Sequence, residues 1–522
     1  MKINYRQLAE GALFTDLYQL TMAQLYFRLG IHENTAQFEY FFRSYPDYGM
    51  HQAGYCICAG LECLVDWMQS SIFKQEEITA LQTVQDRKGK PLFSPDFLNW
   101  LQDKPLTHGI SLKAIPEGRV VHPYVPLATV EGNLAIAQIL ESALLNHLNF
   151  QTLIATKAAR IHEVAQGRTV LEYGLRRAQD RAATVGARAA LIGGADASSN
   201  TGASLALGIQ PSGTHGHSMV QAITALGGNE LEAFRAYAEL YPHNCILLVD
   251  TFSTLESGIP NAIRVFEEMK RKGFSPIGIR LDSGDLAYLS IQAARMLNAA
   301  GFSEALIVLS NQMDEMTIWQ IITQIQSEAA RYGVEPQQVI NRLAYGVGTR
   351  LITSSGASAL DGVYKLVTVK KQGHWIPTMK ISESPEKTLN PGNKATWRIY
   401  DPTGKAVSDL IGLAEENPSD INSLQLHHPT DQTKSRILSR DQISEVEPLN
   451  QDILRDGKLI YQFPTIEEIR TVRQRDTDCL YPGVKRLINP HIYHVSLSQK
   501  LWELKQNLMQ KNKGYDRDEI PV

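Results

Sequence analysis

Residues 276–284 read PIGIRLDSG: an apolar run that ends abruptly in Arg280, Asp282, Ser283 and Gly284. A short run rich in Ile and Leu followed by polar and glycine residues has the pattern of a strand buried on both faces that opens into a functional loop. The same rhythm recurs on either side in TVLEYG (169–174), AALIGG (189–194), NCILLVDT (244–251), EALIVLSN (304–311) and LAYGVGT (343–349), with a weaker run, GIQPSG, at 208–213. Helix-length segments lie between them. In PNAIRVFEEMKRKG, Pro260 stands at a first helical position and Gly273 just past the end. Strands alternating with helices predict a parallel sheet with crossover helices, doubly wound or closed as a barrel. Seven such runs, not eight, favour an irregular α/β barrel.

The flanks differ. Residues 1–140 mix helices with strand candidates such as TAQFEYFF, and residues 362–400 read as a β-meander of GVYKLVTV, WIPTMKI and TWRIYDPTGK. The polar tail KQNLMQKNKGYDRDEIPV is expected to fray. At 522 residues the chain exceeds what one core sustains, so at least two subdomains are expected. Boundaries fall at 1–140, 141–361 and 362–522.

A net charge of -4 without basic runs argues against a nucleic-acid partner. No export signal and no membrane-length apolar stretch are visible, and five cysteines, three of them crowded into YCICAGLEC, fit buried reduced thiols in a cytoplasmic protein. Cys56, Cys58 and Cys63 lack a fourth ligand at the usual zinc spacing.

In parallel α/β folds ligands sit at the C-terminal ends of the strands. The residues there are Glu172, Tyr173 and Arg176; Asp196, Ser198, Ser199 and Asn200; Thr214, His215 and His217; Asp250 and Thr251; Arg280, Asp282 and Asp285; Asn311 and Asp314; and Gly346, Gly348 and Thr349. So polar a set does not suit a packing layer. Glycines in LDSGDL and YGVGTRL let backbone N–H groups converge on an anion at a helix start, although Ser283 and Asp285 read first as helix caps. Arg280 at the end of a buried strand needs an anionic partner, and Asp282 or a ligand carboxylate or phosphate serves equally. Tyr18, one turn into a helix capped by Thr15, reads by default as a core aromatic. His215 and His217 in PSGTHGHSMV could bind zinc in a barrel hydrolase, but later strands end in Asp, Arg, Asn and Thr rather than in further histidines. A catalytically silent binding protein is a third reading.

TDLYQLTMAQ, FEYFFR, IPEGRVV, LEYGLRRAQ, ADASSN, GTHGHS, GIRLDSGDL, YGVGT, GVYKLV and MKISESPEKTLNPGNKATWRIYD occur in this order over about residues 13–400. Together they resemble the nicotinate phosphoribosyltransferase family. The resemblance implies a type II phosphoribosyltransferase: an irregular TIM-like α/β barrel with a second α/β domain formed from the N- and C-terminal segments. It further implies ATP-coupled joining of nicotinate to 5-phosphoribosyl 1-diphosphate in NAD salvage, with Mg2+ (or Mn2+), by a homodimer that shares its active site. By motif, His217 becomes the transiently phosphorylated histidine, while Tyr18, Thr214 and Arg280 become nicotinate contacts. Thr349, with Gly348 beside it, becomes a phosphoribosyl-diphosphate contact. Tyr173 is expected as a ring platform, Arg176 as an anion clamp and Asp282 as a carboxylate near the ribose hydroxyls; the metal ligands stay open. Hydroxyls around Ser199, where a nicotinamide-using relative would offer a carboxylate, favour the acid, with Asp196 only three residues away.

Overall fold

The computed structural model describes residues 10–380, 388–420 and 422–515. These fall into two compact units, one of Ile154–Ser358 and one joining the chain up to Leu153 with the chain from Ala359 onward.

The Ile154–Ser358 unit is built on six parallel strands: β1 (Val170–Glu172), β2 (Ala197–Ser198), β3 (Ile246–Leu248), β4 (Gly278–Leu281), β5 (Leu306–Leu309) and β6 (Leu343–Val347). Their order is β2-β1-β6-β5-β4-β3, and β2 and β3 are the two edges, so the sheet is a half-barrel. All four residues of β4 but Arg280 are buried, as are all five of β6, because helices cover the sheet. Helices start where the strand-end polar residues cap them. The Asp285 carboxylate accepts from the Tyr288 N–H (3.1 Å), Asp314 from Thr317 (2.9 Å) and Asn200 Oδ1 from Ala203 (3.2 Å).

Two of the seven expected strands are not strands. AALIGG is the last turn of a helix, Asp180–Gly193, which closes on Gly194 in the left-handed region at φ 119°. A helix buried this deeply loses its polar face, and a short apolar stretch of it then looks like a strand. GIQPSG is irregular, with the Ser212 N–H donating to Ser198 O (3.0 Å). The strand in this part of the chain is instead the two-residue β2, too short to leave a periodic signal.

The other unit holds two large sheets and a two-stranded one that pairs Cys56–Ile57 with Val120–Val121. A seven-stranded antiparallel sheet pairs Thr35–Phe42, the expected TAQFEYFF strand, with Gly362–Lys371 on one side and Ala128–Asn133 on the other, so both ends of the chain build it. The expected meander is therefore split: Gly362–Lys371 and His374–Pro377 form a hairpin here, whereas Lys394–Tyr400 belongs to a six-stranded sheet of the C-terminal segment. The ISESPEK part of the last motif (381–387) lies outside the described residues. In the second sheet the buried Arg398 guanidinium is held by Asp409 (2.8 Å) and Asp476 (3.0 Å), and Asp476 also accepts from Arg119 (2.7 Å). Such buried charges persist because each is paired.

Asp16, not Thr15, stands at the N-cap of the helix Leu17–Arg28; the Thr15 hydroxyl donates to Ile139 O (2.9 Å), and Tyr18 is the second helical residue. The tail expected to fray begins as the helix Gln499–Tyr515. None of the five cysteines forms a disulfide, and burial pushes the Cys58 thiol far up. No helix among the described residues is long and apolar enough to cross a membrane.

Candidate active site

The polar ends of β4 and β5 and the loop that carries Thr214 meet around one guanidinium. Arg280 of β4 donates from Nε to the Ser310 hydroxyl (2.9 Å), from Nη1 to Thr214 Oγ1 (2.9 Å) and from Nη2 to Asp282 Oδ1 (3.2 Å). Its side chain is 13% exposed. A guanidinium has five N–H donors. Protein partners among the described residues therefore leave part of the fork for a ligand. Asp282 is its partner, as the structural alternative expects, and donors remain.

Tyr173, just past β1, lies with its ring 5.5 Å from the Arg280 guanidinium carbon. Its backbone N–H donates to Val347 O (2.8 Å), and its ring packs so tightly on Gly346 that a Cβ there would come within 2.5 Å of a ring carbon. The first glycine of YGVGT is thus required by the aromatic platform. The second, Gly348, is the N-cap of the short helix Thr349–Ile352. Burial raises the Tyr173 hydroxyl above its ordinary range, partly opposed by Arg280, so the phenol stays neutral.

His217 is the first residue of the helix His217–Ala225. Its Nδ1 lies 3.2 Å from Thr251 Oγ1, and its Nε2 lies 3.9 Å from Asp250 Oδ1 and 3.8 Å from Asp282 Oδ2. The imidazole is 36% exposed while the Asp250 side chain is only 2% exposed. Asp250 Oδ2 accepts from the Asp282 N–H (3.0 Å) and the Ser283 hydroxyl (2.5 Å); Oδ1 has no hydrogen-bond partner. A buried carboxylate oxygen left in this state is costly unless a donor reaches it, and the nearby Nε2 is the group placed to do so. Two carboxylates on the Nε2 side favour the tautomer with the proton there, which leaves a lone pair on Nδ1 facing the Thr251 hydroxyl.

His215 does different work. Its Nε2 accepts from the Leu248 N–H (3.1 Å), and its ring packs edge-on to Tyr237 at 4.8 Å. The two histidines thus spend their nitrogens on different partners and do not converge on a zinc ion. Among the described residues no group of three or more His, Cys, Asp or Glu is placed to hold a metal.

These three constellations are joined by residues that also match a family from end to end. Residues 13–149 match the N-terminal domain of nicotinate phosphoribosyltransferase, 169–405 the nicotinate phosphoribosyltransferase family proper and 393–505 its C-terminal domain. Nicotinate phosphoribosyltransferase of Bacillus subtilis is 40% identical over 98% of this chain and 97% of its own length. The chain belongs to the nicotinate phosphoribosyltransferase family. The human nicotinate phosphoribosyltransferase is 31% identical over 96% of this chain and 97% of its own. A crystal structure of human nicotinic acid phosphoribosyltransferase superposes with a TM-score of 0.78 at 29% identity, over 95% of this chain and 99% of that one. The nicotinate-nucleotide pyrophosphorylase of Pyrococcus furiosus, at 20% identity and a TM-score of 0.65, shares the fold. The half-barrel is accordingly that of the type II phosphoribosyltransferases.

In this member of the nicotinate phosphoribosyltransferase family, Thr214, Arg280, Asp282, Tyr173 and His217 form one connected group. Gly348 adjoins it through Tyr173, whose carbonyl oxygen is 3.1 Å from where a Gly348 Cβ would stand, and Thr349 follows as the first residue of the helix. Arg176 is exposed on the loop after β1, and Tyr18, 48% exposed, belongs to the other unit. Three further residues of the site carry no assigned role in the sequence: Asp250 and Thr251, which show only as strand-end residues, and Ser310. Their signal is position alone, immediately beyond β3 and β5. The next two residues after Ser310, Asn311 (φ 94°) and Gln312 (φ 49°), are both left-handed, a strain that commonly marks a functional turn.

The His215 bond makes a prediction. Burial, reinforced by Arg280 and His217, holds this imidazole below its ordinary range, so the folded chain prefers it neutral. A depressed folded value means that the stabilisation is complete above the unfolded pKa of about 6.5 and is lost as pH falls through the folded value, by at most about 1.4 kcal/mol per pH unit. Thermal melts from pH 7.5 to 5 should therefore fall more steeply for the native chain than for His215→Phe. Parallel curves would show that this imidazole does not anchor the loop to β3.

Proposed function

We propose that this chain is an ATP-coupled nicotinate phosphoribosyltransferase, joining nicotinate to 5-phosphoribosyl 1-diphosphate to give nicotinate mononucleotide and diphosphate for NAD salvage. The observation that carries this reading is Arg280: a largely buried guanidinium with donors to spare, beside a tyrosine ring, which suits a planar aromatic carboxylate. The carboxylate accepts from the Arg280 fork and the Thr214 hydroxyl stands beside it. The pyridine ring stacks near Tyr173. Stacking gains strength as the ring nitrogen becomes cationic on bonding to ribose.

Glu172 sharpens the choice between acid and amide. It is a buried carboxylate raised above its usual range by burial, yet both its oxygens are taken, one by the Gly174 N–H and the other by the Ser198 hydroxyl (2.6 Å). Each of its oxygens is thus already engaged by the protein, and the adjoining SSN segment presents neutral groups. Nicotinate is favoured over nicotinamide.

Bond formation from the pyridine nitrogen to the anomeric carbon accompanies departure of diphosphate, and positive charge develops on the ribose. Asp282 sits near that charge. Its Oδ1 is fixed by Arg280 and Ser310. Thr349, the Gly348 backbone and Arg176 receive the phosphates. A divalent ion would neutralise the diphosphate. Asp250 and Asp282 would provide oxygen donors of the kind Mg2+ takes.

ATP enters through His217. The Nδ1 lone pair attacks the γ-phosphorus, the N–P bond forms as the bond to the ADP oxygen breaks, and the Nε2 proton is retained by Asp250 and Asp282. Hydrolysis of this phosphoimidazole couples ATP to product formation. The working enzyme is proposed to be a cytoplasmic homodimer that shares its active site.

A single competition assay tests the reading. With magnesium, phosphoribosyl diphosphate and an equimolar mixture of nicotinate, nicotinamide and quinolinate, nicotinate mononucleotide should be the dominant product and should form faster with ATP. A dominant nicotinamide or quinolinate product, or no mononucleotide at all, defeats it.

A further inference from the structure

The C-terminal sheet carries a second cavity that the chemistry above does not use. Its volume is about 650 Å³, and it is bounded by the strands Ser423–His427, Ser435–Ser439 and Val495–Ser498 with the loop that precedes the last of them. Three features of its wall matter. Lys434, Arg436 and Arg486 line it together with His428, His491 and His494, while its lining contains no aspartate or glutamate.

Arg436 is the strongest sign. It lies half-buried opposite Leu426 in the hairpin, its Nη2 donates to Val407 O (3.1 Å), and its Nε is buried with no hydrogen-bond partner. A desolvated guanidinium with idle donors is unfavourable in an empty cavity and favourable around an anion. The histidines add donors. His428 Nδ1 accepts from the backbone N–H groups of Thr430 (3.2 Å) and Asp431 (3.0 Å), which puts the ring proton on Nε2. The rings of His491 and His494 stand 6.2 Å apart. Burial and the neighbouring Arg436 hold His494 below its ordinary range, and the fixed positive charge of the wall is that of Lys434, Arg436 and Arg486.

Beside these cations and the polar Ser435, Asn489 and Ser496, part of the wall is apolar. Leu426, Pro490, Ile492 and Val495 line it, and Ile492 is 71% exposed beside these cations. Inorganic phosphate would satisfy the arginines and leave this apolar surface wet. A ligand with phosphates at one end and a flat ring at the other covers both, and cavities of about 300–1,000 Å³ hold molecules of that size.

We propose that this cavity is a binding site for a nucleoside polyphosphate, with the phosphates on Arg436 and Arg486 and the base over Ile492 and Pro490. It is separate in residues from the His217 site, so the two can be told apart. The full-length protein is irradiated with 8-azidoadenosine triphosphate and the labelled peptides are mapped by mass spectrometry. Label should appear in the peptides spanning 428–436 or 486–496, independently of whether His217 is phosphorylated. Arg486→Gln, at an exposed position, should reduce that label about tenfold, as expected for loss of one charge-assisted contact. Arg436→Gln should do the same in protein whose melting curve is still cooperative. ATP should compete at a concentration at least several-fold below that needed for inorganic tripolyphosphate. Absence of label from both peptides, or label undiminished in Arg486→Gln, overturns the site. Equal competition by tripolyphosphate overturns the nucleotide assignment in favour of a simple anion site.

Discussion

Arg280→Gln should lower kcat/KM for nicotinate by about 10²–10³-fold, the cost of removing a buried, paired charge from a carboxylate ligand, on the order of 3–4 kcal/mol. The substitution removes two things together. It takes away the donors that meet the ligand, and it releases Thr214, Ser310 and Asp282 from the group that holds them around β4. Arg280→Lys separates these. An ammonium restores charge but cannot reach three acceptors in a plane while presenting a fork, so only a small part of the activity should return. The decisive measurement is the ratio of nicotinate to nicotinamide turnover. If Arg280 recognises the carboxylate, both variants lose nicotinate turnover much more than nicotinamide turnover, and the ratio collapses. An equal fall for both substrates would make Arg280 a scaffold for its neighbours. Arg176→Gln, on an exposed loop, provides the contrast: a smaller loss, expressed in KM for phosphoribosyl diphosphate.

Where sequence reasoning succeeded and where it failed follows from what a local pattern can carry. Five of the six strands are legible because they are apolar runs closed by polar residues, and burial on both faces writes that pattern directly. The two-residue β2 is not, since it has no length in which to show a period. AALIGG misleads for the opposite reason: alanine-rich buried helix and buried strand are compositionally alike. At the site, the residue types are visible but their partners are not. Asp250 and His217 are 33 positions apart and meet only because β3 and the GTHGHS loop end on the same side of the sheet. Likewise Ser310 looks like any strand-end serine until β5 is laid beside β4, which brings its hydroxyl to the Arg280 Nε. Gly346 would be read as a phosphate-loop glycine, and the structure gives it a different task under Tyr173.

The second large effect concerns ATP. His217→Ala should abolish phosphate incorporation from γ-labelled ATP and with it the stimulation of turnover, while nicotinate mononucleotide still forms slowly from phosphoribosyl diphosphate, because no atom of His217 is needed for attack on the anomeric carbon. The adjacent carboxylate refines this expectation. Asp250 is buried with one oxygen fixed by Asp282 N–H and Ser283 and the other unpartnered 3.9 Å from the His217 Nε2. In the proposed mechanism it holds the proton on Nε2 so that Nδ1 is the nucleophile. Asp250→Asn keeps the shape and removes the charge, and should therefore slow phosphorylation by about 10²-fold, within the range of acid–base contributions, without removing the acceptor. It should also move some phosphate from Nδ1 to Nε2, a change that distinguishes the two phosphohistidine isomers by NMR and that a merely structural role would not produce. His215→Phe must leave phosphate incorporation intact, since its Nε2 is occupied by the Leu248 N–H. Phosphate retained in His217→Ala but lost in His215→Phe would transfer the acceptor role to His215 and break the link drawn here between the Asp250 and Asp282 carboxylates and ATP coupling.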